Sequence, residues 1–139
     1  MGNCAVKLSC MDKNTKNETD DKIDFSKGNV HLVTSMEIWD KEISQASKDG
    51  KIVVVNFSAT WSGPCRTIAP LYSELSEKYS ELTFLTVDVD ELAELSSSWD
   101  LRATPSFFFL KDGQQLDKVV GANKTQLEKM VASMAKGTT

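Results

Sequence analysis

The fold is decided by residues 52–65, which read IVVVNFSATWSGPC. Ile52 to Phe57 form an apolar, β-branched run with almost no polar break, the pattern of a central strand covered on both faces. The segment Trp61-Ser62-Gly63-Pro64-Cys65 then opens an amphipathic helix. A Cys-x-x-Cys pair at such a strand-to-helix junction is a disulfide-exchange site. Here Ser62 stands at the first cysteine position. The stretch therefore predicts a site of the thiol–disulfide exchange type that lacks its usual attacking sulfur.

The composition limits the class of protein. The chain has 139 residues, 40% hydrophobic and 26% charged, which suits one soluble globular domain with its own core. A net charge of −4 argues against a general nucleic-acid binder, because such a protein needs a basic face to displace counterions. Cys4, Cys10 and Cys65 are too few and too uneven for a disulfide framework, and no apolar run suits a membrane span or a signal peptide. We therefore expect a reducing, cytoplasmic compartment.

Further elements are predicted on both sides of the central strand. Strands are predicted at 30–33, 82–89, 106–110 and 116–120, and helices at 36–48, 91–98 and 125–136. The helix after the motif extends to Tyr79, and Pro70 inside it is expected to cause a kink because proline removes a backbone donor. The order βαβαβαββα predicts an α/β fold in which helices flank a central mixed sheet.

A polar segment precedes these elements. Residues 14–22 hold no apolar side chain, and a segment of this kind cannot bury enough surface to offset its ordering entropy. The sequence therefore predicts two regions, a mobile polar extension at 1–28 and a folded domain at 29–139.

Four motifs, in order along the chain, carry a resemblance to a known family. They are Trp61-x-Gly63-Pro64-Cys65, Ala103-Thr104-Pro105, Phe109-Leu110-Lys111-Asp112-Gly113 and Val119-Val120-Gly121-Ala122. From about residue 30 to its end the chain resembles the thioredoxin family, in which the first motif is Trp-Cys-Gly-Pro-Cys. The extension beginning Met1-Gly2-Asn3-Cys4 is further similar to a subgroup of plant h-type thioredoxins. The resemblance implies the thioredoxin fold and a thiol–disulfide oxidoreductase that reduces protein disulfides.

The resemblance also implies roles within the first motif. The attacking cysteine would occupy position 62, and Cys65 would be the resolving cysteine. Both lie at a helix N-terminus whose amide donors stabilise a thiolate, an effect for which thioredoxins are themselves a standard example. Pro64 suits the first helical turn, and Gly63 leaves room for a substrate chain. The redox group of a Ser62→Cys form would be a disulfide between positions 62 and 65, with no bound cofactor.

The serine at position 62 has a chemical consequence and two explanations. Its hydroxyl is not ionised near neutral pH and forms no disulfide, so the chain is expected to be inactive or nearly so. A natural relative could have lost its chemistry, or a working enzyme could carry an engineered Cys→Ser change. We favour the engineered change, because natural monothiol relatives more often keep the first cysteine and the rest of the motif is intact.

A second departure from the family lies at Asn56, where most thioredoxins carry a buried aspartate. That carboxylate is thought to relay a proton to the resolving thiol, and an asparagine cannot titrate. Asn56 is therefore either a hydrogen-bonding residue of a buried strand or a functional change to the resolving step.

The resemblance assigns target docking to Trp61, the Thr104 backbone, Pro105 and Gly121, with the peptide bond before Pro105 in the cis form. An extended segment of the target would pair with this loop in the manner of a short β-strand. The expected partners are disulfide-containing proteins, with thioredoxin reductase or glutathione and glutaredoxin as electron donor. We expect a monomer that binds no nucleic acid.

Other polar and aromatic residues give no evidence of a functional role. Trp39 and Trp99 lack the setting of the motif and are predicted to pack in the core. His31, the only histidine, lies on a strand pattern remote from the motif, so we expect no catalytic role for it and no metal site.

The extension offers further functions. Gly2 is a prerequisite for myristoylation and Cys4 a candidate for palmitoylation, although Val6 replaces the usual Ser or Thr of the motif. Cys4 is also a candidate third redox thiol, because a tether of about 25 residues spans roughly 25–30 Å. The alternatives to the reductase are therefore a redox-silent binding module and a lipid-anchored adaptor at a membrane surface.

Overall fold

The computed structural model describes residues 28–99, 101 and 103–137. Its elements follow the predicted order, and the predicted bounds differ from the observed ones by two residues or fewer. The strands are β1 (Val30–Val33), β2 (Val53–Ser58), β3 (Thr83–Asp88), β4 (Ser106–Lys111) and β5 (Gln114–Val120). The helices are α1 (Met36–Asp49), α2 (Gly63–Lys78), α3 (Ala93–Ser97) and α4 (Lys124–Gly137).

The five strands form one mixed sheet in the order β1-β3-β2-β4-β5. β3 pairs in parallel with β1 and β2, whereas β4 pairs antiparallel with β2 and β5. All six residues of β2 are buried, which confirms the prediction of a central strand. Ser58 at the end of β2 pairs with Asp88 at the end of β3, and Phe57 pairs with Ser106 at the start of β4. Three connecting segments therefore meet at this edge of the sheet.

Helices cover both faces of the sheet, and each face has its own core. Val54 of β2 packs into the cluster beneath α2 and α4, with Ile68, Tyr72 and Leu127. The neighbouring residues of β2 point the other way and pack beneath α1 and α3. Alternate residues of a strand lie on opposite faces, so the apolar run of β2 supplies both cores at once.

Trp39 lies in the second core and the partly buried Trp99 packs against it, as predicted. Their ring centroids are 6.0 Å apart in an edge-to-face arrangement, and both rings also contact Phe57. Aromatic pairs prefer this geometry because the positive ring edge faces the negative ring face.

Local signals fix the ends of the elements. The Ser35 hydroxyl accepts a hydrogen bond from the Ile38 amide and caps α1, and Gly50 ends that helix in the left-handed conformation at φ 67°. Asp112 and Gly113, both at positive φ, form the turn between β4 and β5, which confirms the predicted hairpin.

The described part of the chain begins at a contact with α2. The Asn29 amide donates to the Ser76 hydroxyl at 2.9 Å, and Gly28 at φ 68° lies so close to Ser73 that a Cβ would approach its carbonyl oxygen to 2.7 Å. Residues 1–27, with the candidate sites at Gly2 and Cys4, lie outside the described residues. Within the described ranges no helix has the length and apolar character needed to cross a bilayer.

Candidate active site

Ser62 is the N-cap of α2. Its backbone is extended, at φ −83° and ψ 125°, and its Oγ accepts a hydrogen bond from the Cys65 amide at 3.4 Å. Serine favours this position because its hydroxyl satisfies one of the amides that the first helical turn leaves unpaired. Pro64 stands in the first turn, where its missing N–H costs nothing. The local sequence therefore starts the helix with position 62 at its electropositive end.

Cys65 lies directly inside Ser62. Its side chain is fully buried, and its Sγ accepts the Ala59 amide at 3.5 Å. Among the described residues it is a free cysteine, and Ser62, whose hydroxyl accepts its amide, has 6% of its own surface exposed. The γ atom of residue 62 therefore lies nearer the surface than the Cys65 sulfur.

Trp61 is the most exposed large apolar residue of the site, with 68% of its surface accessible. Its ring is not free, because Nε1 donates to the Asp90 Oδ2 at 2.8 Å. Asp90 is in turn positioned by its own amide, which donates to the Asp88 Oδ1 at 2.8 Å. The loop that follows β3 therefore fixes the indole over the end of the sheet. Asp90 was not predicted from the sequence as a site residue.

The loop before β4 faces the motif from the other side. The Thr104-Pro105 peptide bond is cis, as the resemblance implied. The Gly121 amide donates to the Pro105 carbonyl at 2.8 Å, and the buried Ser106 hydroxyl donates to the Ala103 carbonyl at 2.6 Å. These two hydrogen bonds hold the loop from both ends. Ser106, like Asp90, was missed from the sequence.

A shallow depression of about 440 Å³ opens between the indole and this loop. It is lined by Trp61, Val89, Ser96, Ser97, Leu101, Ala103 and Thr104. The Ser96 and Ser97 hydroxyls both donate to carbonyls of their own helix turn, so the depression presents a largely apolar floor. Such a surface suits an apolar side chain of an extended segment.

Asn56 lies one layer below the surface of the site and is 1% exposed. Its Oδ1 accepts a hydrogen bond of 2.6 Å from the Ser58 hydroxyl. Its strand neighbours are Thr86 on β3 and Phe107 on β4. The described residues thus bring together Trp61, Ser62, Cys65, Thr104, Pro105 and Gly121 at one edge of the sheet, with Asn56 beneath them.

Two other polar residues lie elsewhere. His31 is on β1, and its Nδ1 is 2.9 Å from the Glu42 Oε2, away from the motif. Tyr72 lies deep under α2, where its hydroxyl contacts the Val54 and Leu85 carbonyls, and burial raises its pKa well above the usual 10.0. Within the described ranges no cluster of three or more His, Cys, Asp or Glu side chains could hold a metal ion.

Comparison with known proteins agrees with this geometry. Residues 29–133 match the family model described as Thioredoxin. Thioredoxin H4-1 of Oryza sativa subsp. japonica is 61% identical over 127 residues, which cover 91% of this chain and 96% of that protein. Thioredoxin H9 of Arabidopsis thaliana is 57% identical over 134 residues, covering 96% and 92%.

A solved structure gives the same answer for the fold. The crystal structure of a poplar thioredoxin h mutant superimposes with a TM-score of 0.80 at 58% sequence identity, covering 82% of this chain and 88% of that one. The chain therefore belongs to the thioredoxin family of thiol–disulfide oxidoreductases, among relatives that are plant h-type thioredoxins.

Proposed function

We propose that this chain is a protein disulfide reductase of the thioredoxin type that lacks its attacking sulfur. One observation carries the proposal: Ser62 caps α2 and its hydroxyl accepts the amide of the buried Cys65, so a sulfur at position 62 would lie where both a target and Cys65 can reach it. The exposed Trp61 and the cis-Pro105 loop flank that point and supply the surface on which a target would dock.

In the Ser62→Cys form two displacements transfer two electrons to the target. The thiolate at position 62 attacks one target sulfur, the target S–S bond breaks, and the other target sulfur leaves as a thiolate that takes up a proton. Cys65 then loses its proton and attacks the sulfur at position 62. A disulfide between 62 and 65 forms, and the second target sulfur leaves as a thiol. An external dithiol or glutathione system must then reduce the new disulfide.

Serine stops this cycle at its first step. Its oxygen is not ionised near neutral pH, and oxygen forms no bond to sulfur that a second thiol could resolve. Cys65 does not replace it, because a side chain with no exposed surface cannot approach a disulfide on a folded partner. We therefore expect the chain with Ser62 to have negligible reductase activity.

Insulin reduction tests the proposal. The parent chain is compared with Ser62→Cys, each supplied with NADPH and thioredoxin reductase or with glutathione and glutaredoxin. We expect turnover only in Ser62→Cys, and the productive donor identifies the physiological type of reductant. A Ser62→Cys/Cys65→Ser double variant is the matched control, since it should form mixed disulfides without resolving them. A folded Ser62→Cys chain that is silent with both donors would contradict the proposal.

A redox-silent binding module is the second candidate. The observation that favours it is that the docking elements, Trp61 and the cis-Pro105 loop with Gly121, are complete around a position that holds no sulfur. Such a module would bind extended segments without reducing them. It predicts that the parent chain and Ser62→Cys capture the same non-covalent partners, and that Trp61→Ala loses them in both.

The place of action is part of the proposal. We propose the cytoplasm, with Gly2 and Cys4 as candidate acylation sites and Cys4 as a candidate third redox thiol. A Gly2→Ala variant that leaves a membrane fraction would support acylation. Mass spectrometry of oxidised Ser62→Cys would support the redox thiol if it found a disulfide or a glutathione adduct at Cys4, and an unmodified Cys4 would contradict it.

A further inference from the structure

Trp99 joins the outer wall of the depression beside Trp61 to the interior of the domain. It follows α3, which contributes Ser96 and Ser97 to that wall, and it stands two residues before Leu101, which also lines the depression. The Trp99 ring does not line the depression itself. It packs against the second core, as Leu101 does. Any role of Trp99 at the depression is therefore exerted through its neighbours.

Three aromatic rings from three different elements hold the Trp99 ring. Its centroid lies 4.9 Å from that of Phe108 on β4, 5.7 Å from that of Phe57 on β2 and 6.0 Å from that of Trp39 on α1. The contacts with Phe108 and Trp39 are edge-to-face, at interplanar angles of 78° and 79°. Aromatic pairs of this geometry stabilise a structure beyond the burial of their surface. The ring is therefore fixed with respect to the sheet.

Short hydrogen bonds link the backbone around Trp99 to α3. The Trp99 amide donates to the Ser96 carbonyl at 3.2 Å, and the Ser98 hydroxyl donates to the Leu95 carbonyl at 2.6 Å. α3 has only five residues, and a helix of that length is not stable by its own hydrogen bonds. Its position therefore depends on the side chains that it packs on the second core, Leu95 and Trp99 among them.

The loop between Trp99 and β4 is attached to the sheet at both ends. At its far end the Pro105 carbonyl accepts the Gly121 amide, and the Ser106 hydroxyl donates to the loop. At its near end Trp99 packs on Phe108, which lies on β4 two residues after Ser106. The distance of this loop and of α3 from the Trp61 indole sets the width of the depression.

We propose that Trp99 is a positioning residue that sets the shape of the depression for an apolar side chain of the target. It acts through Ser96, Ser97 and Leu101 and does not touch the target. The inference rests on the docking surface of the proposed function, but not on electron transfer, because no sulfur takes part in it. Loss of the ring should weaken the binding of targets that fill the depression and leave attack on a disulfide unchanged.

Trp99→Leu and Trp99→Phe test the inference in the Ser62→Cys background. Leucine removes the ring contacts, whereas phenylalanine keeps a ring against Phe108. We expect Trp99→Leu to raise KM for insulin about threefold to tenfold with kcat nearly unchanged, and Trp99→Phe to restore most of the KM. The rate with cystine, a small disulfide that has no chain to dock, should stay the same in both variants.

Phe84→Leu is the matched control for lost stability. Phe84 is a buried aromatic residue of the first core, where its ring centroid lies 5.4 Å from that of Tyr72. Phe84→Leu should lower the melting temperature as Trp99→Leu does, yet leave KM for insulin unchanged. Every variant is assayed well below its melting temperature. An unchanged KM in Trp99→Leu, an equal rise in Phe84→Leu, or a parallel loss of the cystine rate in Trp99→Leu would overturn the inference.

A binding measurement on the chain with Ser62 tests the same inference without turnover. The probe is the B chain of insulin, reduced and carboxamidomethylated so that it cannot exchange disulfides. By isothermal titration calorimetry we expect Trp99→Leu to raise the Kd about threefold to tenfold, and Trp99→Phe and Phe84→Leu to keep nearly the parent value. Equal Kd values for the parent and Trp99→Leu would overturn the inference. A Ser62→Cys chain that is silent on both insulin and cystine would instead contradict the proposed function, and the calorimetric comparison would then decide the inference.

Discussion

The Trp61 indole nitrogen donates a hydrogen bond of 2.8 Å to the carboxylate of Asp90, a residue 29 positions further along the chain. The contact joins the loop after β2 to the loop after β3. It holds the widest apolar surface of the site in one orientation while leaving 68% of that residue accessible. A docking surface that is already ordered loses less entropy when a target binds.

Removing this hydrogen bond should weaken docking rather than chemistry. In the Ser62→Cys background we expect Asp90→Ala to raise KM for insulin about threefold to tenfold with kcat nearly unchanged. Glu91→Ala, which removes the adjacent exposed carboxylate, is the control and should leave KM unchanged. Steady-state kinetics measure both, and equal effects of the two substitutions would show that charge rather than indole position matters.

The cap of α2 should be measurable as stability. We expect Ser62→Ala to lower the free energy of unfolding by about 1 kcal/mol, because the Cys65 amide loses its acceptor. Ser35→Ala on α1 removes an equivalent hydrogen bond and should cost a similar amount. Urea denaturation compares the two. A loss at Ser35 with none at Ser62 would mean that the 3.4 Å contact contributes nothing.

The Ser106 hydroxyl should matter to target binding although it lies below the surface. Ser106→Ala removes the 2.6 Å hydrogen bond to Ala103, so we expect a loss of about 1–2 kcal/mol of stability and a several-fold higher KM in the Ser62→Cys background. Ser106→Thr keeps the hydroxyl and should restore most of both. An alanine variant with the parent KM would contradict a role for Ser106 in holding the Pro105 loop.

Tyr72 gives a pH dependence whose sign follows from burial. Its pKa is raised well above 10.0 in the folded chain, chiefly by desolvation and against the effect of the Leu85 hydrogen bond. The unfolded chain therefore loses this proton first as pH rises, so the stability that Tyr72 contributes is complete below about pH 10 and is lost above it. Above pH 10 the free energy of unfolding should fall less steeply with pH in Tyr72→Phe than in the parent. The control is Tyr79→Phe, which replaces a half-buried tyrosine and should leave the slope unchanged.

Asn56→Asp tests the buried-acid position. A carboxylate at position 56 would place a negative charge beneath Cys65 and disfavour a second one, so Cys65 alkylation should move to higher pH. Asn56→Ala controls for loss of the Ser58 hydrogen bond without adding charge. Identical profiles for the parent and Asn56→Asp would remove any link between this residue and the thiol.

Much of the fold could be predicted because its signals are local. The run that forms β2 is apolar throughout, and that alone places it at the centre of the sheet. Ser35 and Gly50 mark the ends of α1 by their own backbone preferences. α3 is shorter than predicted because Glu91 and Leu92 turn back onto the Asp88 carbonyl instead of starting the helix.

The residues that sequence reasoning missed act across long separations. Asp90 meets Trp61 only because β2 and β3 are neighbours in the sheet, and Thr86 meets Asn56 for the same reason. Neither pair leaves a periodic pattern, since each residue alone resembles an ordinary member of its strand or loop. The signal that could have found Asp90 is its place just after the strand predicted at 82–89, at the level where the central strand also ends.

The three tryptophans of the chain lie in two different environments, so their fluorescence should differ. Trp39 is buried in the second core and the partly buried Trp99 packs against it, with their ring centroids 6.0 Å apart, whereas Trp61 faces solvent beside Ser62. The solvent-facing indole should emit at longer wavelength, and a ligand that covers it should shift that emission toward the blue. The chain thus carries an intrinsic optical reporter at the proposed docking surface, which can follow binding without a label and without any redox turnover.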